Sequence, residues 1–212
     1  MNSARQQTTE QFSPGWLAVT FLFWLGNVVL HLEFSNWLVR PYSTPLGEFI
    51  PRDLSVHAAV ISALLTAALL WKRIARGEAR LAHGITWVLW SITAASAFLL
   101  LMTTPIEAIH YLQYGILAFL LASALDPDKQ QWPLTTLLFI TVGLGIIDEL
   151  NQYFLLTPGN STYIDFNDFV LNMLGEQAGL FAYYAGLHHD RPPRPGTDST
   201  HAAQITLAAY ML

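Results

Sequence analysis

The run Gly84–Met102, GITWVLWSITAASAFLLLM, decides the fold. It carries no charged side chain. An α-helix rises about 1.5 Å per residue, so about 20 apolar residues cross a hydrocarbon core of about 30 Å. A run of this length and uniformity reads as a membrane span. Outward from it lie comparable stretches at Trp16–Leu32, Ser55–Trp71, Ile109–Leu125, Trp132–Ile147 and Phe166–Leu187. The last fits the required length directly, and the others reach it with their polar ends. Pro133 suits a first helical turn, where its missing N–H is not needed. The expected fold class is therefore all-α, a polytopic membrane bundle of about six transmembrane helices. Composition agrees. The chain is 53% hydrophobic and 12% charged, with mean hydropathy +0.37, against about 25% charge in soluble domains.

Charge placement sets an expected orientation. Lys72, Arg73, Arg76 and Arg80 lie between the second and third spans. Short loops rich in Lys and Arg stay on the cytoplasmic side. Alternating six spans from there places both termini inside. Arg5, Lys129, Arg191 and Arg194 then also fall inside, and only Arg40 and Arg52 fall outside. Residues 1–15 read as a disordered cytoplasmic N-terminus and 16–187 as the bundle. Residues 188–212 read as a cytoplasmic tail with the Pro-rich linker RPPRPGTDST (191–200). No cleavage site follows the first apolar run, so no signal peptide is expected.

Several function classes are excluded. With no cysteine, thiolate metal sites, disulfides and cysteine catalysis are absent. No basic stripe suggests nucleic acid. No internal repeat supports the inverted-repeat transporter pattern. The hydrolase patterns G-x-S-x-G and H-E-x-x-H are missing.

The polar residues gather instead at the expected outer ends of the spans. Gly145–Asn172 holds Asp148, Glu149, Asp165 and Asp168 with no Lys or Arg. Glu107, His110 and Tyr114 lie on one helical face, as do Asp165, Asp168, Asn172 and Glu176. Glu149 and Gln152 are neighbours at i, i+3. Hydrocarbon cannot satisfy such groups, so the three stripes are expected to face one another or water. Asp148 reads as a solvated helix end and Asp165 as a helix cap or a pocket residue. His31 and His57 read as interfacial or structural. Glu176 lies deeper, and a carboxylate near mid-membrane costs roughly 2.5–3.5 kcal/mol to insert. It faces the bundle as a functional group, or as a protonated or paired one. Gly175 and Gly179 form G-x-x-x-G, which permits close helix approach; Gly143 or Gly145 offers the same on the fifth helix.

The order Glu149-x-x-Gln152, Pro158-Gly159, Asp168-x-x-x-Asn172-x-x-Gly175-x-x-x-Gly179, with His110-x-x-x-Tyr114 upstream, resembles the VanZ-like family. The resemblance covers roughly Glu107 to Leu187. Asn160 stands where the family commonly has Arg after Pro-Gly, and Glu107 stands alone where Asp-Lys is frequent. The resemblance implies a bacterial inner-membrane protein of the cell envelope, in a family whose founding member is associated with resistance to the glycopeptide teicoplanin. It names no reaction and no cofactor.

The expected function is an outward-facing polar pocket lined by His110, Tyr114, Glu149, Gln152, Asp168 and Asn172, with Glu107, Asp165 and Glu176 as secondary residues. Its partners would be membrane lipids, through an envelope lipid headgroup, or a cell-wall precursor. In this reading Tyr114 orients His110 or closes the pocket floor. An enzymatic alternative uses the same cluster for headgroup hydrolysis or transfer, with Glu149 as base and His110 as acid, or with Mg²⁺ or Ca²⁺ on the carboxylates. A proton-coupled transporter using Glu176 is a third. The sequence assigns no resident metal ligand.

Overall fold

Six long helices account for most of the chain. A computed structural model describes residues 12–39, 54–77, 79, 81–102, 107–127, 134–156 and 166–186. The helices are α1 (Pro14–Val39), α2 (Leu54–Ala75), α3 (Leu81–Leu101), α4 (Ala108–Leu125), α5 (Leu134–Asn151) and α6 (Phe166–Phe181). No strand occurs among the described residues. π-Helical turns at Gln152–Leu156 and Ala182–Gly186 continue α5 and α6. Five of the helices, α1 to α5, are long and apolar enough to cross a membrane. The sixth, α6, is shorter, more polar and largely buried among the others. Expectations for Trp132–Pro133, Pro158–Asp165 and the 188–212 tail lie outside the described residues.

Polarity is distributed as a hydrocarbon solvent requires. Phe21, Leu64, Leu99, Leu100 and Phe139 point outward, while His31, His110, Asp148, Glu149, Asn172 and Glu176 are buried. Water would favour the reverse. In lipid, contact between apolar side chains and acyl chains costs nothing, and polar groups must find one another inside.

The centre is the α4–α6 pair, which shares the most extensive contact in the molecule. Glycine makes that approach possible. A methyl group placed on Gly175 would overlap the Tyr111 carbonyl oxygen, and one on Gly179 would overlap that of Gly115. Small residues here replace the hydrophobic drive that lipid removes. On α5, Gly145 leaves room for the Tyr114 ring, which a Cβ would meet at 3.0 Å, whereas Gly143 borders open space.

Two helix pairs flank this centre. α2 and α3 pack on it through Trp87, Trp90, Tyr111 and Phe181; Trp87 stacks on Trp90 at 4.8 Å, and the Trp90 indole donates to Gln177 Oε1 at 2.8 Å. α1 packs on α4 and α5. The Trp24 indole donates to the Leu144 carbonyl at 3.3 Å, and the Asn151 amide to the Val28 carbonyl at 3.2 Å.

The two ends of the bundle differ in charge. At one end lie Lys72 and Arg73, in the last turn of α2. The π-turn after α6 packs on α2. There Tyr183 and Tyr184 donate to the Asp126 carbonyl and carboxylate, each at 2.7 Å, and the Ser13 amide reaches Ala124. At the other end the start of α4, the end of α5 and the start of α6 converge, with no Lys or Arg in any of the three helices.

Candidate functional site: a buried His–carboxylate cluster

His110 sits in the first turn of α4 and is buried. The Gly-mediated approach of α6 brings Asn172 against it. Asn172 Oδ1 is 3.1 Å from His110 Nδ1, and Asn172 Nδ2 donates to Glu149 Oε1 at 2.9 Å. One amide thus ties α4, α5 and α6 together. Glu149 Oε1 is 3.6 Å from His110 Nδ1, and Asp168 Oδ1 is 3.7 Å from His110 Nε2. Both spacings exceed a hydrogen bond.

Donor–acceptor logic fixes the ring. An ionised carboxylate only accepts, so the Asn172 NH₂ must face Glu149. Its carbonyl oxygen then faces His110 and accepts from Nδ1–H. In the neutral imidazole the lone pair lies on Nε2, directed toward Asp168.

The sequence-identified residues divide into groups. His110, Glu149, Asp168 and Asn172 meet. Gln152 opens the π-turn beyond Glu149 and is half-buried. Glu107 precedes α4, half-buried, and makes no side-chain cap. Asp165 lies outside the described residues. Glu176 is one turn further along α6 and fully buried; neither carboxylate oxygen has a hydrogen-bond partner. Oε1 lies 3.4 Å from a Cβ placed on Gly145. The nearby Thr141 hydroxyl instead donates to the Leu137 and Leu138 carbonyls, at 3.1 and 3.0 Å.

Three sequence expectations are corrected. Asp148 is not a solvated helix end: it is 1% exposed, and its Oδ2 accepts from the Tyr114 hydroxyl at 2.7 Å. Tyr114 accordingly orients Asp148, since its single hydroxyl proton is directed there and not to His110. The fifth helix does not exit at Ile147; it runs through both acids to Asn151 and continues as the π-turn to Leu156. Partners across the bundle stabilise those acids within the helix.

His31 is the functional neighbour that sequence reading missed. It is buried, and its ring packs on His110 with centroids 5.5 Å apart. Asp148 acts on it electrostatically. The expected end of the first span, at Leu32, made His31 look interfacial. In the structure α1 continues to Val39, so His31 lies two turns inside the helix. Its only sequence signal was a His among apolar residues.

Chemically, the cluster offers one imidazole nitrogen and two carboxylates on three helices. Its ligand atoms all lie within 4.8 Å of one another. Comparison with protein-family models, with curated proteins and with solved structures finds no match.

Proposed function

We propose that this chain is a VanZ-like protein of the bacterial inner membrane whose His110–Glu149–Asp168–Asn172 pocket binds the headgroup of an envelope lipid or cell-wall precursor. The supporting observation is the convergence of these four polar side chains at the bundle end opposite Lys72 and Arg73. Under the positive-inside rule that end faces outward, with both termini cytoplasmic. A headgroup approaching from the outer leaflet meets the pocket at its own depth. Glycopeptide susceptibility would change through sequestration or presentation of the bound precursor.

Native mass spectrometry of the detergent-purified protein tests this. Wild type is expected to retain an anionic envelope lipid or precursor. His110→Ala and Asp168→Asn are expected to lose it while keeping their helical circular dichroism. Equal retention by both variants would overturn the reading.

A further inference from the structure

The pocket presents a charge problem. Glu149 and Asp168 flank His110, and Asp148 lies next to Glu149 in sequence. No Lys or Arg occurs in α1, α4, α5 or α6. Buried charges of one sign require a counter-charge. An anionic headgroup would be repelled by the same carboxylates. We infer that His110, Glu149 and Asp168 form a binding site for one divalent transition-metal ion of the Zn²⁺ or Mn²⁺ type, and that this ion is the anchor for the anionic group.

The geometry carries the inference. The Nε2 lone pair faces Asp168 Oδ1 at 3.7 Å, and the cluster's ligand atoms span at most 4.8 Å. Ligands on Zn²⁺ at about 2.0–2.1 Å in tetrahedral array stand about 3.4 Å apart. The observed spacing is thus too long for a hydrogen bond and close to a coordination edge. Asn172 supplies the outer support such a site needs: it takes the Nδ1 proton and orients Glu149, leaving Nε2 for the ion. Independently, Asp148 Oδ1 is buried without a hydrogen-bond partner, and Asp148 acts on the His31 ring that packs against His110. This unpartnered charge behind the cluster favours a cation in it.

The donor set selects the ion. One imidazole with carboxylate oxygens suits Zn²⁺ or Mn²⁺ better than Mg²⁺ or Ca²⁺, which prefer oxygen alone. Three protein ligands leave further coordination positions open, the pattern of sites that bind an exogenous ligand. A phosphate or carboxylate oxygen would fill them. This last step rests on the headgroup reading; the metal site itself does not.

The test uses the full-length chain in nanodiscs, stripped with EDTA. Zn²⁺ binding is measured by calorimetry and Mn²⁺ binding by electron paramagnetic resonance. One ion per chain is expected. His110→Ala, Glu149→Gln and Asp168→Asn should each weaken binding at least about 100-fold. Asn172→Ala, which removes only the outer support, should weaken it about 10–100-fold. The exposed acid variant Glu33→Gln should bind like wild type. Preference for Ca²⁺ or Mg²⁺, or equal binding by the three ligand variants, would overturn the inference. A second arm measures phosphatidylglycerol retention before and after stripping. Loss on stripping with recovery on Mn²⁺ addition is expected. Retention unaffected by EDTA overturns the metal anchor and leaves the headgroup reading intact. Stoichiometric Mn²⁺ binding without lipid retention overturns the headgroup reading and leaves the metal site intact.

Discussion

Asn172→Leu separates a specific polar junction from generic helix packing. Leu has nearly the same volume as Asn, so the substitution opens no large cavity. It removes the 3.1 Å contact to His110 and the 2.9 Å bond to Glu149. Interhelical hydrogen bonds in membranes average about 0.6 kcal/mol, with a maximum of about 1.7. Two of them total about 1.2 kcal/mol, with a ceiling of about 3.4. The Glu149 carboxylate loses its amide donor while 4% exposed, which moves the expected loss to about 2–3 kcal/mol. The assay is reversible unfolding in mixed micelles by dodecyl sulfate titration, followed by circular dichroism. A double-mutant cycle with Glu149→Leu should show a coupling of about 0.5–1.7 kcal/mol. The same cycle with Tyr184→Phe, whose hydroxyl bonds Asp126 at the other end, should be additive within about 0.5 kcal/mol. A loss below about 0.5 kcal/mol, or no coupling to Glu149, would refute the junction.

Three further outcomes follow from the same coordinates. Gly179→Ala must push α6 away from the Gly115 carbonyl and should cost about 1–3 kcal/mol in the same titration; Gly143→Ala, facing open space, should be neutral or stabilising by up to about 1 kcal/mol. Tyr114→Phe strands Asp148 Oδ2 and should lower unfolding free energy by about 1–2 kcal/mol, measured against wild type in the same micelles. In intact cells an impermeant maleimide should label Glu33→Cys directly and Arg76→Cys only after permeabilisation; the opposite pattern would invert the topology.

The sequence made the spans legible and their polar pairings only partly so. Gly84–Met102 carries no charged side chain, so hydropathy alone identifies α3. α5 was harder. Asp148 and Glu149 lower local hydropathy whether they face water or a partner, and hydropathy does not distinguish the two. Their partners, Tyr114 and Asn172, are 34 and 23 residues away, beyond any helical periodicity. The stripe rule did group His110 with Tyr114, and Asp168 with Asn172 and Glu176. It could not show that Tyr114 turns to Asp148 while His110 turns to Asn172. That choice depends on the rotation of α4 against α6, which Gly175 and Gly179 set through backbone contact. His31 was misread for the same reason as Asp148: an apolar run ending near a polar residue looks like a membrane boundary even when the helix continues.

Pairwise crosslinking in the membrane tests the central arrangement most directly, and the chain's lack of cysteine makes it clean. With His110→Cys and Asp168→Cys introduced together, a short bifunctional methanethiosulfonate should join α4 to α6 in native vesicles. Glu149→Cys paired with His110→Cys should join α4 to α5 as efficiently. His110→Cys paired with Tyr184→Cys, at opposite ends of the bundle, should not react. Failure of the first two pairs in folded protein, or crosslinking of all three alike, would contradict a site built where these helices meet.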